Sequence, residues 1–336
     1  MPKIKEGKIE IIAELAQGFE GNHKLAQLLT LGALKTDADA IKFQLVYADE
    51  LATPDYHYYK LFKSLEMPLE IWRDLVTMIH TAGKKVYFDI FGEESLRVAA
   101  MLEADGIKLS TTEFYNSSLV GKALKGNFAK IFISIGGIPI EDVHALIHRE
   151  SLRPEKICFM FGFQAEPTPL ESNNLRRVTA LSAEFPGFDL GFMDHSLGKS
   201  DDAFYLPVMA LATGITCIEK HLTLDPLLEV EDFISALTPS RFKHFVSLVR
   251  RYETALGKTS LELTDLEHEY RNKATKVVVA LHDLPKGTKL STENAALKRV
   301  GEMFRSSRTI RTMETVLGKE LLSALKKHEP VVEELI

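Results

Sequence analysis

The 336-residue chain has only two cysteines, Cys158 and Cys217. Neither stands in a Cys-x-x-Cys pair, so two free buried thiols are expected, with no disulfide framework. No run approaches the roughly 20 consecutive apolar residues that a bilayer-spanning helix needs. No apolar signal core follows the charged start of the chain either. A soluble, cytoplasmic protein is expected, without membrane partners. An excess of positive charge is also missing: 47 acidic side chains face 41 basic ones, for a formal net charge of -6. That argues against nucleic-acid backbones as partners. It leaves room for a small anionic substrate, because a few lysines reverse the potential inside a cleft.

What is present is the mix of a globular protein, 45% hydrophobic and 26% charged, in a length that fits one large domain plus a small one. Eight short apolar runs stand out: 9–15, 40–45, 85–91, 106–110, 131–135, 157–161, 189–193 and 215–218. Continuous apolar runs of this length suit parallel strands buried on both faces. Between them, 25–35, 69–82, 94–103, 140–149, 175–185 and 203–212 show the three- and four-residue apolar spacing of helices. A doubly wound open sheet competes, but eight strands with helical partners in about 250 residues fit a (β/α)8 TIM barrel. A helix over 239–256 closes it. The barrel domain is set at 1–258 and a linker at 259–273. A small β-rich domain follows at 274–336, with a Val-rich strand near 276–281, a Pro-Lys-Gly turn and a short helix within 309–325.

Barrel active sites lie at the carboxyl ends of the strands. Glu14, Lys42, Gln44, Asp89, Lys108, Glu113, Ser134, Gln164, Asp194, His195, Glu219, Lys220, His221 and Asp225 stand at or just beyond those ends. Burying such groups unpaired costs several kcal/mol, so their recurrence on one face points to a site. His195 and His221 end neighbouring strands, whose spacing of about 5 Å lets two imidazoles share one divalent ion. The alternative is two unrelated loop histidines. Lys42 and Lys108 suit a phosphate or carboxylate. A Schiff-base lysine and a structural ion pair of these lysines with Glu14 or Asp89 remain open beside that reading. Glu14 and Glu113 are candidates for moving protons, or for orienting the lysines.

At these residues the chain resembles the sialic acid synthase family, the NeuB-like proteins. The resemblance runs through Lys42-Phe43-Gln44, Lys108 to Glu113 with Thr111 inside it, Ser134-Ile135-Gly136, Asp194-His195-Ser196-Leu197-Gly198 and Ile218-Glu219-Lys220-His221. The 274–336 segment resembles the family's antifreeze-like (SAF) domain, through Pro285-Lys286-Gly287, Leu297-Lys298-Arg299 and Gly318-Lys319. The resemblance implies a carbon–carbon bond-forming transferase that condenses phosphoenolpyruvate with an N-acetylated amino sugar such as N-acetylmannosamine. The products would be a nonulosonic acid, for surface polysaccharide, and phosphate. It implies Mn2+ or Mg2+ on His195 and His221, and catalytic roles for Glu14, Glu113 and Lys42. Substrate binding would fall to Gln44, Lys108, Thr111, Ser134, Gln164, Asp232 and Arg299. It also implies a domain-swapped homodimer in which the small domain brings Arg299 to the sugar.

The chain departs from the family pattern at Phe19, Asp89, Phe161, Met193 and Phe233, where several small polar groups have become apolar. Each hydrogen bond so lost to a charged ligand is worth roughly 1.5–3 kcal/mol. Asp89 instead brings a negative charge toward the expected anion site. A Schiff-base aldolase and a non-catalytic sugar-binding relative are the competing functions.

Overall fold

The structure is a computed structural model and describes residues 7–302 and 308–336. By internal contacts it divides into two compact units, Met1–Lys258 and Thr259–Ile336.

Eight parallel strands close into a barrel in chain order: β1 (Glu10–Glu14), β2 (Ala40–Leu45), β3 (Lys85–Ile90), β4 (Gly106–Leu109), β5 (Lys130–Ser134), β6 (Ile157–Phe161), β7 (Asp189–Asp194) and β8 (Cys217–His221). The last pairing joins β1 to β8, with Glu14 opposite His221. An open doubly wound sheet is thereby excluded. The side-chain period of two splits each strand between two apolar cores. Ile11, Ile41, Phe43, Phe88, Ile107, Ile133, Phe159, Phe192 and Ile218 face outward and pack with the helices. Ile12, Ala40, Tyr87, Phe132, Cys158, Met160, Met193 and Cys217 fill the barrel interior. Both cysteines are free and buried, with their sulfurs 3.6 Å apart.

The same alternation aims the polar strand ends. Glu14, Lys42, Asp89, Lys108, Ser134, Glu219 and His221 share the interior parity, while Asp194 and Lys220 share the outward one. Strand β8 runs to His221, three residues beyond its expected end, because its charged residues find partners instead of water.

The expected helices form, the closing one as Pro239–Glu253 with a 3-10 turn after it. It buries Phe242, Phe245, Val246 and Val249 on one face. Ser117–Lys125 is a further helix, which sequence periodicity had not marked. The expected linker carries a helix, Asp265–Ala274, started by a capping box in which Thr264 and Glu267 bond each other's backbone amides. None of the described helices is long and apolar enough to cross a membrane.

In the second unit, β9 (Val277–Ala280) pairs antiparallel with β10 (Ala295–Lys298). Val278, Leu284, Leu290, Val316, Leu321, Leu325 and Val331 form its core. The Pro-Lys-Gly turn places Gly287 at φ +83, where a side chain would be strained. The short helix expected within 309–325 is absent. That stretch holds turns around Gly318, at φ +78, and a bridge from Leu284 to Leu325.

Candidate active site

The carboxyl ends of the strands surround a cavity of about 620 Å³, within the range of small-ligand sites. Its lining includes Glu14, Gln44, Asp89, Lys108, Thr111, Ser134, Gln164, Met193, His195, Glu219 and His221. At the mouth, the rings of Tyr56 and Phe62 stack at 6.0 Å. Sequence reasoning passed over this pair; the aromatic run at Tyr56-His57-Tyr58 was the available signal. Gly162, at φ +122, lets the backbone come so close to Met193 that a Cβ there would sit 2.3 Å from the Met193 carbonyl.

The floor is an ionic cluster. Lys42 Nζ contacts Glu14, Asp89 Oδ1 at 2.6 Å and Glu219 Oε2 at 3.6 Å. Lys108 Nζ lies 2.6 Å from Glu219 Oε1 and 3.2 Å from Asp89 Oδ2. The structural ion pairs foreseen for the lysines therefore form, Lys42 with both Glu14 and Asp89 and Lys108 with Asp89. Burial disfavours charge on Lys42, but Asp89, Glu14 and Glu219 outweigh it and raise its pKa well above the ordinary value. Burial pushes the Glu14 carboxyl up to about 7 against the pull of Lys42, with Glu219 and Asp89 adding to the rise. Burial also acts on Glu219, yet Lys108 and Lys42 hold it down at about 2.

The two imidazoles stand beside this cluster, ring centroids 5.1 Å apart. Burial lowers His195 to about 4 and takes His221 well below its ordinary value, so both are neutral at pH 7. His195 Nδ1 is buried without a hydrogen-bond partner, and His221 Nδ1 lies 3.6 Å from Asp232 Oδ2. Two neutral imidazoles with an unpartnered nitrogen suit a divalent cation. Among the described residues no group of three or more His, Cys, Asp or Glu side chains is placed to hold a metal ion. A bound cation would thus take two protein ligands and leave its other positions open.

Around this centre, Thr111 Oγ1 and Ser134 Oγ are 2.9 Å apart. Gln17 donates to Gln44 at 2.6 Å, and Gln164 to Asp232 at 2.6 Å. Burial, a hydrogen bond to Glu166 and the charges of Glu166 and Glu231 raise Asp232 to about 9, so it is a neutral acid at pH 7.

Four expected residues are not part of the lining; one is Asp232, which stands behind it, against Gln164 and His221. Lys42 is wholly buried and is not part of the cavity lining. Glu113 accepts from Asn116 at 2.9 Å and does not line the cavity either. Arg299 lies in the second unit, where it donates to the Lys273 carbonyl. Asp194 and Lys220 form a separate pair on the helix side of the barrel wall, at 2.7 Å. Of the departures, Phe19 packs edge-on against Trp72 at 5.4 Å, and Phe161 belongs to the outward core. Asp89 and Met193 do face the cavity.

The NeuB family model matches residues 30–260, and the SAF domain model matches 275–336. A pseudaminic acid synthase of Campylobacter jejuni is 30% identical, over 85% of this chain and 86% of its own. A spore coat polysaccharide biosynthesis protein of Bacillus subtilis is 29% identical, over 89% and 85%. The crystal structure of a spore coat polysaccharide biosynthesis protein E from Chromobacterium violaceum superposes with a TM-score of 0.81, covering 98% of this chain and 99% of that one. At 20% identity that likeness speaks for the fold alone.

Proposed function

This chain belongs to the NeuB family, and on that premise we propose that it is a phosphoenolpyruvate-dependent synthase acting on an N-acetylated amino sugar. C3 of phosphoenolpyruvate attacks the open-chain aldehyde carbon, forming the new C–C bond, and the aldehyde oxygen takes up a proton. Water adds to C2 and gives up a proton. The C2–O bond to phosphate then breaks, the C2 hydroxyl passes its proton to the departing phosphate, and a 2-keto acid of the nonulosonic class remains. The observation that carries the reading is the meeting of two neutral imidazoles and a lysine–carboxylate cluster in one cavity.

His195 and His221 are assigned to a divalent ion, Mn2+ or Mg2+, which would supply Lewis-acid polarisation of the aldehyde oxygen when bound. Lys108, Ser134 and Thr111 line the side assigned to the three-carbon anion. Glu14, poised near neutrality, is the proton-transfer group. Lys42, beneath the lining, is reassigned to holding Glu14, Asp89 and Glu219 in place. Glu113, bonded away to Asn116, is dropped from the proton relay. Gln44, Gln164 and Asp232 are assigned to the sugar, together with Arg299 delivered by the second unit of a domain-swapped homodimer. The Schiff-base reading loses ground because an imine needs a free amine, whereas Lys42 is held as an ammonium among three carboxylates.

The test is phosphate release from phosphoenolpyruvate over a panel of N-acetylated hexosamines with Mn2+. The expected result is sugar-dependent release with at least one of them. Binding of both Mn2+ and phosphoenolpyruvate with no release from any sugar would favour a non-catalytic relative. A borohydride-trapped pyruvate adduct on Lys42 or Lys108 would favour an aldolase.

A further inference from the structure

Asp89 has no task in the reaction above, yet it sits at the centre of the cluster. Its Oδ1 accepts from Lys42 at 2.6 Å and its Oδ2 faces Lys108 at 3.2 Å. Glu219 spans the same two ammoniums, and Glu14 closes on Lys42. Lys108 Nζ also lies 3.7 Å from Met193 Sδ, a weak acceptor. Two positive charges thus stand among three carboxylates, and none of the five residues is more than 5% exposed. Phosphoenolpyruvate brings a carboxylate and a phosphate into this place. Like charges within a few ångström in poorly screened surroundings repel strongly. Both lysines are already matched, so they have no net charge to offer an incoming anion.

We propose that Asp89 sets the anion affinity of the cavity, holding both lysines so that phosphoenolpyruvate is captured only alongside a divalent cation on His195 and His221. This rests on the synthase reading. Linkage makes the effect mutual: the anion must strengthen cation binding by the same factor. Asp89 is then a specificity-determining residue that keeps the cation-free site closed to small anions.

The experiment titrates the metal-stripped full chain with phosphoenolpyruvate, without sugar, in a calorimeter, with and without Mn2+. Association of Mn2+ with phosphoenolpyruvate in solution is subtracted. The wild-type chain is expected to bind phosphoenolpyruvate at least about tenfold more weakly without Mn2+. Asp89→Asn keeps the shape and removes the charge. It is expected to tighten cation-free binding and shrink that gap to a few-fold. Mn2+ titrated with and without phosphoenolpyruvate must return the wild-type factor, an arm that needs no variant. Equal wild-type affinity with and without Mn2+, or an unchanged gap in a folded Asp89→Asn chain, overturns the inference and leaves the synthase reading standing. No phosphoenolpyruvate binding by either chain with Mn2+ present overturns both.

Discussion

Two buried ionic networks lie on opposite sides of the same barrel wall: one joins Lys220 of β8 to Asp194 of β7, the other joins Glu219 of β8 to charged residues of β1 to β4. On the helix side, Lys220 meets Asp194 at 2.7 Å, and Ser196 supplies its hydroxyl and its backbone amide to the Asp194 oxygens. One charge of each sign is present, and both carboxylate oxygens are bonded. On the inner side, three carboxylates share two ammoniums. Glu14 Oε2 and Glu219 Oε2 touch Lys42 only as ion pairs, and His195 Nδ1 has no partner. A fold tolerates buried charge when it is matched and fully bonded. An unmatched cluster with open positions costs stability, and such clusters concentrate where ligands bind and chemistry occurs.

That contrast fails if adjacent residues of β8 respond alike. His221→Ala is expected to lower sugar-dependent phosphate release by about a hundredfold or more, while shifting unfolding free energy by about 1 kcal/mol or less. Lys220→Met leaves Asp194 buried without its partner and is expected to cost about 3–5 kcal/mol in urea unfolding, with turnover per folded molecule within a few-fold of wild type. Comparable activity losses in the two folded variants would erase the distinction.

Acidity sharpens the same contrast. Glu14 rises from an ordinary 4.5 to about 7 in the fold, so the folded chain binds more protons than the unfolded one between those values. The stability tied to this group is fully present below pH 4.5 and is lost as pH rises through 7, by on the order of 3 kcal/mol. Glu219 works in the opposite sense: its contribution is present above pH 4.5 and lost as pH falls toward 2. Urea unfolding between pH 6.5 and 8, above the range where the lowered imidazoles of His195 and His221 act in the opposite sense, should therefore show wild-type stability falling with pH and a shallower fall for Glu14→Gln, the remainder coming from Asp232. Parallel profiles would mean that Glu14 titrates normally.

The smallest effect is expected outside both networks. Arg299→Ala should raise the sugar KM by roughly tenfold, in line with one lost charged hydrogen bond, and the phosphoenolpyruvate KM much less. Equal changes in both would contradict a sugar-facing arginine.

The barrel was legible because its strands are continuous apolar runs, a signal that one chain carries by itself. Residues at strand ends were legible for the same reason, since a charge that interrupts an apolar run announces the rim. Their partners were not. Asp89 read as an oddity on strand three, and only the register of β2, β3 and β4 sets it between Lys42 and Lys108. The end of β8 was misjudged because hydropathy counts Glu219, Lys220 and His221 as breakers, although each finds its charge or ring partner indoors. The Ser117–Lys125 helix was hidden by its serines, Gly121 and lysines, which dilute the apolar stripe of Leu119, Val120 and Ala123. Glu113 has the sequence spacing of a rim residue, but a 3-10 turn directs it to Asn116.

The most direct test is anomalous diffraction at the manganese edge from crystals of the full chain soaked in Mn2+. The account predicts one strong peak bonded by both His195 and His221, beside Glu219 and Lys108, and its loss in His221→Ala crystals. A peak held by other residues, or none at those imidazoles under saturating Mn2+, would contradict it.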